Sequence, residues 1–83
     1  MAPERLRVLL RANPFRPFRL HLSGGNSFLV TSPEWLLVTG LTSALGIPGQ
    51  SGDGDRIMLI DNMHIVFTEP ADAVGPTAAP TAN

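Results

Sequence analysis

Two four-residue runs, Trp35-Leu36-Leu37-Val38 and Ile57-Met58-Leu59-Ile60, are apolar on both faces of a pleat in a chain of only 83 residues. A strand with one wet face alternates apolar and polar side chains, whereas a strand apolar on both sides needs cover on both. A domain of this size buries only about 60–65% of the surface its unfolded chain exposes, so its own core is a poor source of cover for both faces of two strands. There is no cysteine, so no disulfide or thiolate zinc site staples the fold, and stability rests on packing or on association with other chains. A short helix is expected to cover one patch and a neighbouring copy another. Leu36, Val38, Met58 and Ile60 are the candidates for outward apolar contact.

The rest of the chain supplies the helix and the remaining strands. Residues 3 to 12 read as a helix: Pro3 suits the first turn, Glu4 sits near the positive end, and Leu6, Leu9 and Leu10 recur at helical spacing. Asn13-Pro14 stops it, because proline disfavours helical geometry in the residue before it. A ten-residue helix is marginal alone in water, so its leucine stripe must dock on the rest of the fold. Pro14 to Phe18 is an extended connector whose Phe15 and Phe18 are expected to anchor in the core.

From Phe18 the period becomes two, with Phe18, Leu20 and Leu22 alternating with Arg19, His21 and Ser23. Gly24-Gly25 turns this strand back into a second one, about Asn26 to Thr31, through a tight hairpin that needs positive φ. Ser32-Pro33 interrupts, and Trp35 to Thr39 forms a third strand. Residues 43 to 47 either add a short strand or extend the third one, and the pattern does not choose between them. Residues 48 to 55 have the composition of a surface loop; Asp53 and Asp55 lack the further ligands and closing glutamate of a calcium loop. The fourth strand is Arg56 to Ile60, Asp61-Asn62-Met63 is a single tight turn, and His64 to Glu69 is the last strand. One domain over 1–70 is expected, followed by an alanine-, proline- and threonine-rich tail over 71–83 that should be disordered.

Charge is distributed unevenly. Arg5, Arg7, Arg11, Arg16 and Arg19 face only Glu4 within the first nineteen residues, a charge of +4, while Arg56 stands against six carboxylates afterwards, a charge of −5. Three readings remain open for the arginines: an anionic ligand such as RNA, a solvated face with internal salt bridges, or contact between the basic end of one copy and the acidic body of the next. Motifs for catalysis are absent. The sequence has no nucleophile elbow, P-loop, dinucleotide fingerprint or HExxH pair, and His21 and His64 are expected to be hydrogen-bonded structural residues. No enzyme activity, metal, cofactor or small-molecule substrate is expected. No apolar run reaches the ~18–20 residues needed to span a bilayer, and the start lacks a secretory apolar core, so a soluble cytoplasmic protein is the default expectation.

The resulting order is a short helix, a connector, a Gly-Gly hairpin, a third strand, a loop, and two last strands joined by one tight turn. It resembles the small five-stranded antiparallel SH3-like barrels, most closely the Sm-like family with its Hfq branch, over Leu6 to Glu69. The opening Pro3 to Arg19, with Ser32-Pro33-Glu34 and His64-Ile65, also resembles a family of small uncharacterised bacterial proteins frequent in planctomycetes. The Sm-like resemblance implies a mostly β fold with an N-terminal helix. It further implies a cyclic homo-oligomer in which the fourth strand of one copy pairs with the fifth of the next, with RNA bound on a face or the rim. Arg11, Arg16 and Arg19 take the place of the branch's rim arginines. The branch's Tyr-Lys-His signature is missing; Ile60 to His64 stands there, and Asp61 would repel phosphate. The expected function is a non-enzymatic homo-oligomeric assembly or protein-interaction module, the alternative an Sm-like RNA-binding protein.

Overall fold

A computed structural model describes residues 1–49 and 54–71. The expected tail from residue 72 onward, and residues 50–53 of the acidic loop with Asp53, lie outside the described residues. The chain is mostly β with one N-terminal helix, α1 (Pro3–Arg11). Pro3 occupies its first turn, where a missing amide hydrogen costs nothing, and Ala12 is already extended ahead of Asn13-Pro14. No helix among the described residues is long and apolar enough to cross a membrane.

Six strands follow: β1 (Phe18–Leu22), β2 (Ser27–Val30), β3 (Leu36–Val38), β4 (Thr42–Ile47), β5 (Arg56–Asp61) and β6 (Ile65–Pro70). The segment left open by the sequence pattern is thus a strand of its own. They form two antiparallel three-stranded sheets, ordered β2-β1-β6 and β3-β4-β5. This corrects the expected closed five-stranded barrel: among the described residues no strand pairing joins the two sheets. Both passages between the sheets break into single 3-10 turns, Pro33–Trp35 between β2 and β3 and Asn62–His64 between β5 and β6. At the first of these Pro33 has no amide hydrogen to continue a ladder.

The β1–β2 loop also differs from a two-residue turn. The Gly25 N–H donates to the Leu22 carbonyl at 3.0 Å and the Leu22 N–H donates to the Asn26 carbonyl at 2.8 Å, leaving three residues in the loop. Only Gly25, at φ +95°, requires the left-handed region. The ladder between β1 and β6 shifts register between His21 and Leu22, leaving Val66 unpaired there.

The core lies between the sheets and under the helix. Phe18 and Leu20 of β1, Val30 of β2 and Ile65 of β6 meet Leu36 of β3, Leu45 of β4 and Ile60 of β5, and Leu6 of α1 is fully buried among them. Phe15 packs against this cluster, its ring 6.0 Å from that of Phe18. Burying a leucine or phenylalanine contributes about 1.5–3 kcal/mol, so docking Leu6 offsets the weak intrinsic stability of a nine-residue helix.

One buried polar knot ties the second sheet to the turn after β5. The Ser43 hydroxyl donates to Asn62 Oδ1 at 2.6 Å, the Asn62 amide nitrogen donates to the Thr39 carbonyl at 2.9 Å, and the Asn62 backbone N–H donates to the Leu41 carbonyl at 2.8 Å. The Met1 ammonium donates to the carbonyls of Asn62 and Ile65 at 2.6 and 2.9 Å. Among the described residues, every buried side-chain polar atom has a partner.

Candidate functional site

The pairing register of the second sheet decides which half of each apolar run faces solvent. Leu36 lies opposite Leu45, which lies opposite Met58; Val38 lies opposite Ser43, which lies opposite Ile60. These rows face the core. Leu36 and Ile60 are buried, and Val38 and Met58 pack partly buried against them. The four residues expected to point outward therefore point inward, a one-residue error of parity. A run apolar on both faces carries no parity of its own, so the partner strand sets it.

The alternate row faces out. Leu37, Ala44 and Leu59 are in register, with Gly46 and Ile57 beside them, and Leu37, Leu59 and Ile57 are 66%, 72% and 75% exposed. Trp35 lies across this face. Its ring sits where a side chain at Gly46 would go, 2.5 Å from an ideal Cβ there, so the glycine makes room for the indole. The result is an apolar sheet face with one half-buried tryptophan.

This face runs to an unpaired strand edge. Among the described residues β5 pairs only with β4, and β6 only with β1. A groove of about 370 Å³ lies between β5 and the β1–β2 hairpin, lined by Leu22, Asn26, Met58, Leu59, Asp61 and His64. Its end is pinned by two bonds: the Ser23 N–H donates to the His64 carbonyl at 2.9 Å, and Ser23 Oγ lies 3.1 Å from His64 Nδ1. A second groove runs between α1 and β6, in two portions of about 310 and 240 Å³ that share Met1, Arg5 and Thr68.

Arg11, Arg16 and Arg19 fall on three different segments of the chain. Arg11, in the last turn of α1, places its guanidinium 2.8 Å from Glu4, and Arg7 lies 3.6 Å from the same carboxylate. The hydrogen bond from Arg11, with the charges of Arg11 and Arg7, holds the Glu4 carboxyl below its ordinary range. Arg16 is exposed in the connector, and Arg19 is half-buried on β1 opposite Leu29 and Glu69. On that same outer face His21 Nε2 lies 2.7 Å from Glu69 Oε1, and the Phe67 ring stacks on the imidazole at 4.1 Å and 8°. Neither histidine's partner was legible beforehand, because each lies more than forty residues away in the chain. Among the described residues no three histidine or carboxylate groups converge as a metal site. Comparison of the chain with family models, with curated proteins and with solved structures returns no match.

Proposed function

We propose that this chain is a non-enzymatic homo-oligomeric module, a small SH3-like, Sm-like unit whose copies associate through the second sheet. The observation that carries the reading is the outer face of β3-β4-β5, where Leu37, Ile57 and Leu59 stand largely exposed around Trp35. Aromatic and aliphatic side chains grouped in this way, next to an unpaired strand edge, are what a self-associating β surface presents. The Sm-like resemblance assigns pairing between copies to the last two strands, here β5 and β6, and each is the edge of its sheet. A ring is the closed form of such head-to-tail pairing.

Light scattering of the native protein, with Leu59→Glu alongside, tests it. The native chain should have a mass several times that of one copy, and the variant should fall toward a single copy while keeping its fold. A native protein that stays monomeric at micromolar concentration overturns the reading. Binding of single-stranded RNA that weakens steeply with salt and is lost when Arg11, Arg16 and Arg19 are replaced would favour the RNA-binding alternative instead. That alternative has less support, since Arg11 is already engaged by Glu4.

A further inference from the structure

Among the described residues four strands form sheet edges, and three of them are blunted in ways that discourage the addition of another strand. β6 shifts register opposite β1 and ends in Pro70, which has no amide hydrogen; β3 is only three residues long and β2 only four. β5 carries no such device. Arg56–Asp61 pairs with β4 residue for residue over its whole length, without proline, lysine or a bulge, and it is apolar from Ile57 to Ile60. A strand this regular and this apolar has the character of a sheet interior, yet it stands at the rim.

The hydrogen-bond ladder fixes what that rim offers. The Asn62 N–H donates to the Leu41 carbonyl at 2.8 Å, and alternation along an antiparallel ladder turns the backbone groups of Ile60, Met58 and Arg56 toward β4. Those of Ile57 and Leu59, with the Asp61 N–H, therefore point away from the sheet, where no strand of the described residues meets them. The same three residues carry exposed side chains on the outer face. The groove of about 370 Å³ separates this rim from the β1–β2 hairpin.

Resting on the proposed association through the second sheet, we infer that the missing neighbour of β5 is β5 of a second copy, antiparallel about a two-fold axis at Leu59. Leu59 of one copy lies opposite Leu59 of the other, and Ile57 opposite Asp61. The Leu59 pair exchanges two backbone bonds, and each Asp61 N–H donates to the Ile57 carbonyl across the axis. Backbone pairing alone accepts any extended chain; a second copy is singled out because β5 meets itself with its faces matched and no like charges opposed. Ile57 and Leu59 continue the outer row, and Met58 lies opposite Ile60 on the core side. The register slipped by two positions sets Asp61 opposite Asp55 of the other copy, a destabilising like-charge pair. The contact is isologous and makes one continuous sheet from the second sheets of two copies. Its outer face carries Leu37, Ile57 and Leu59 of both and stays free for further association.

Cysteine pairing tests the register, in a full chain that has no cysteine of its own. Ile57→Cys and Asp61→Cys alter exposed side chains, so each variant should retain the native circular dichroism. Mixing the two keeps Leu59 in place and sets the thiols opposite each other, with about 5.5 Å between Cα atoms and within reach of a disulfide. The mixture should give a linked heterodimer under mild oxidation at micromolar concentration, and Leu59→Cys should link to itself. Ile57→Cys alone should link at least about tenfold more slowly, since its two copies stand four positions apart, about 13 Å. In the unsubstituted protein, hydrogen exchange at the Ile57, Leu59 and Asp61 amides should slow as concentration rises, while the Met58 and Ile60 amides are protected throughout. The contact is overturned if neither opposed pair links, if Ile57→Cys links to itself as readily, or if the three outward amides exchange alike in monomer and oligomer. Association through the outer face then still stands where Leu59→Glu lowers the mass. A native chain that is monomeric overturns both.

Discussion

Replacing Asn62 by alanine measures how far the second sheet depends on its buried polar knot. The substitution removes two side-chain hydrogen bonds, one from the Ser43 hydroxyl at 2.6 Å and one to the Thr39 carbonyl at 2.9 Å. Each is worth about 0.5–1.5 kcal/mol net. Ser43 is fully buried, so its hydroxyl is then stranded away from water, which adds about 1–3 kcal/mol. Thr39 is exposed and its carbonyl can turn to solvent, so that loss is the smaller one. The expected destabilisation of Asn62→Ala is therefore about 2–4 kcal/mol, or roughly 8–30 °C in Tm for a domain of this size. Urea unfolding followed by the emission of Trp35, at fixed protein concentration so that association does not confound the midpoint, gives the value. Ser43→Ala and the double variant complete the cycle. The double variant should cost about 1–2 kcal/mol less than the two single effects together, since no stranded group remains. Single effects that simply add, or an Asn62→Ala cost below about 1 kcal/mol, would refute the assignment of a buried and mutually satisfied pair.

Two further outcomes follow from local geometry. Gly46→Ala places a methyl group where the Trp35 ring lies, so the indole must swing outward; its emission should shift to the red and self-association should weaken, while an unchanged spectrum would argue against the contact. The Glu4 carboxyl is held below its ordinary value, first by its hydrogen bond from Arg11, so its contribution to α1 is present above the ordinary glutamate pKa of about 4.3 and is lost as pH falls through the lowered value. NMR titration should find the Glu4 pKa moving back up in Arg11→Gln, and no movement would show that the pair does not persist in solution.

Much of the local architecture was legible from short stretches of sequence. Asn13-Pro14 ends α1 within a residue of the expected place, because the restriction acts on the neighbouring residue. Phe18, Leu20 and Leu22 declare β1 by alternation, and Gly25 supplies the one left-handed position of its hairpin. The mostly β character with a leading helix follows from such signals added together. The two runs are apolar on both faces of the pleat, as the sequence reads, yet the outer side falls to Leu37, Ile57 and Leu59, one position away from the residues expected there.

That difference has a physical origin. Turn, cap and period signals act across a few residues and survive reading one residue at a time. Parity does not: it depends on β3 meeting β4 with Leu36 opposite Leu45. Leu6 of the helix then covers the buried side. The Ser43–Asn62 bond and the His21–Glu69 contact span 19 and 48 residues, distances over which no periodicity couples one side chain to another. Residue order is enough to show that both faces of these two strands are apolar. That the outer side falls to Leu37, Ile57 and Leu59 was set by the folding of strand against strand, because a pleat apolar on both faces takes its inside and outside from its pairing partners.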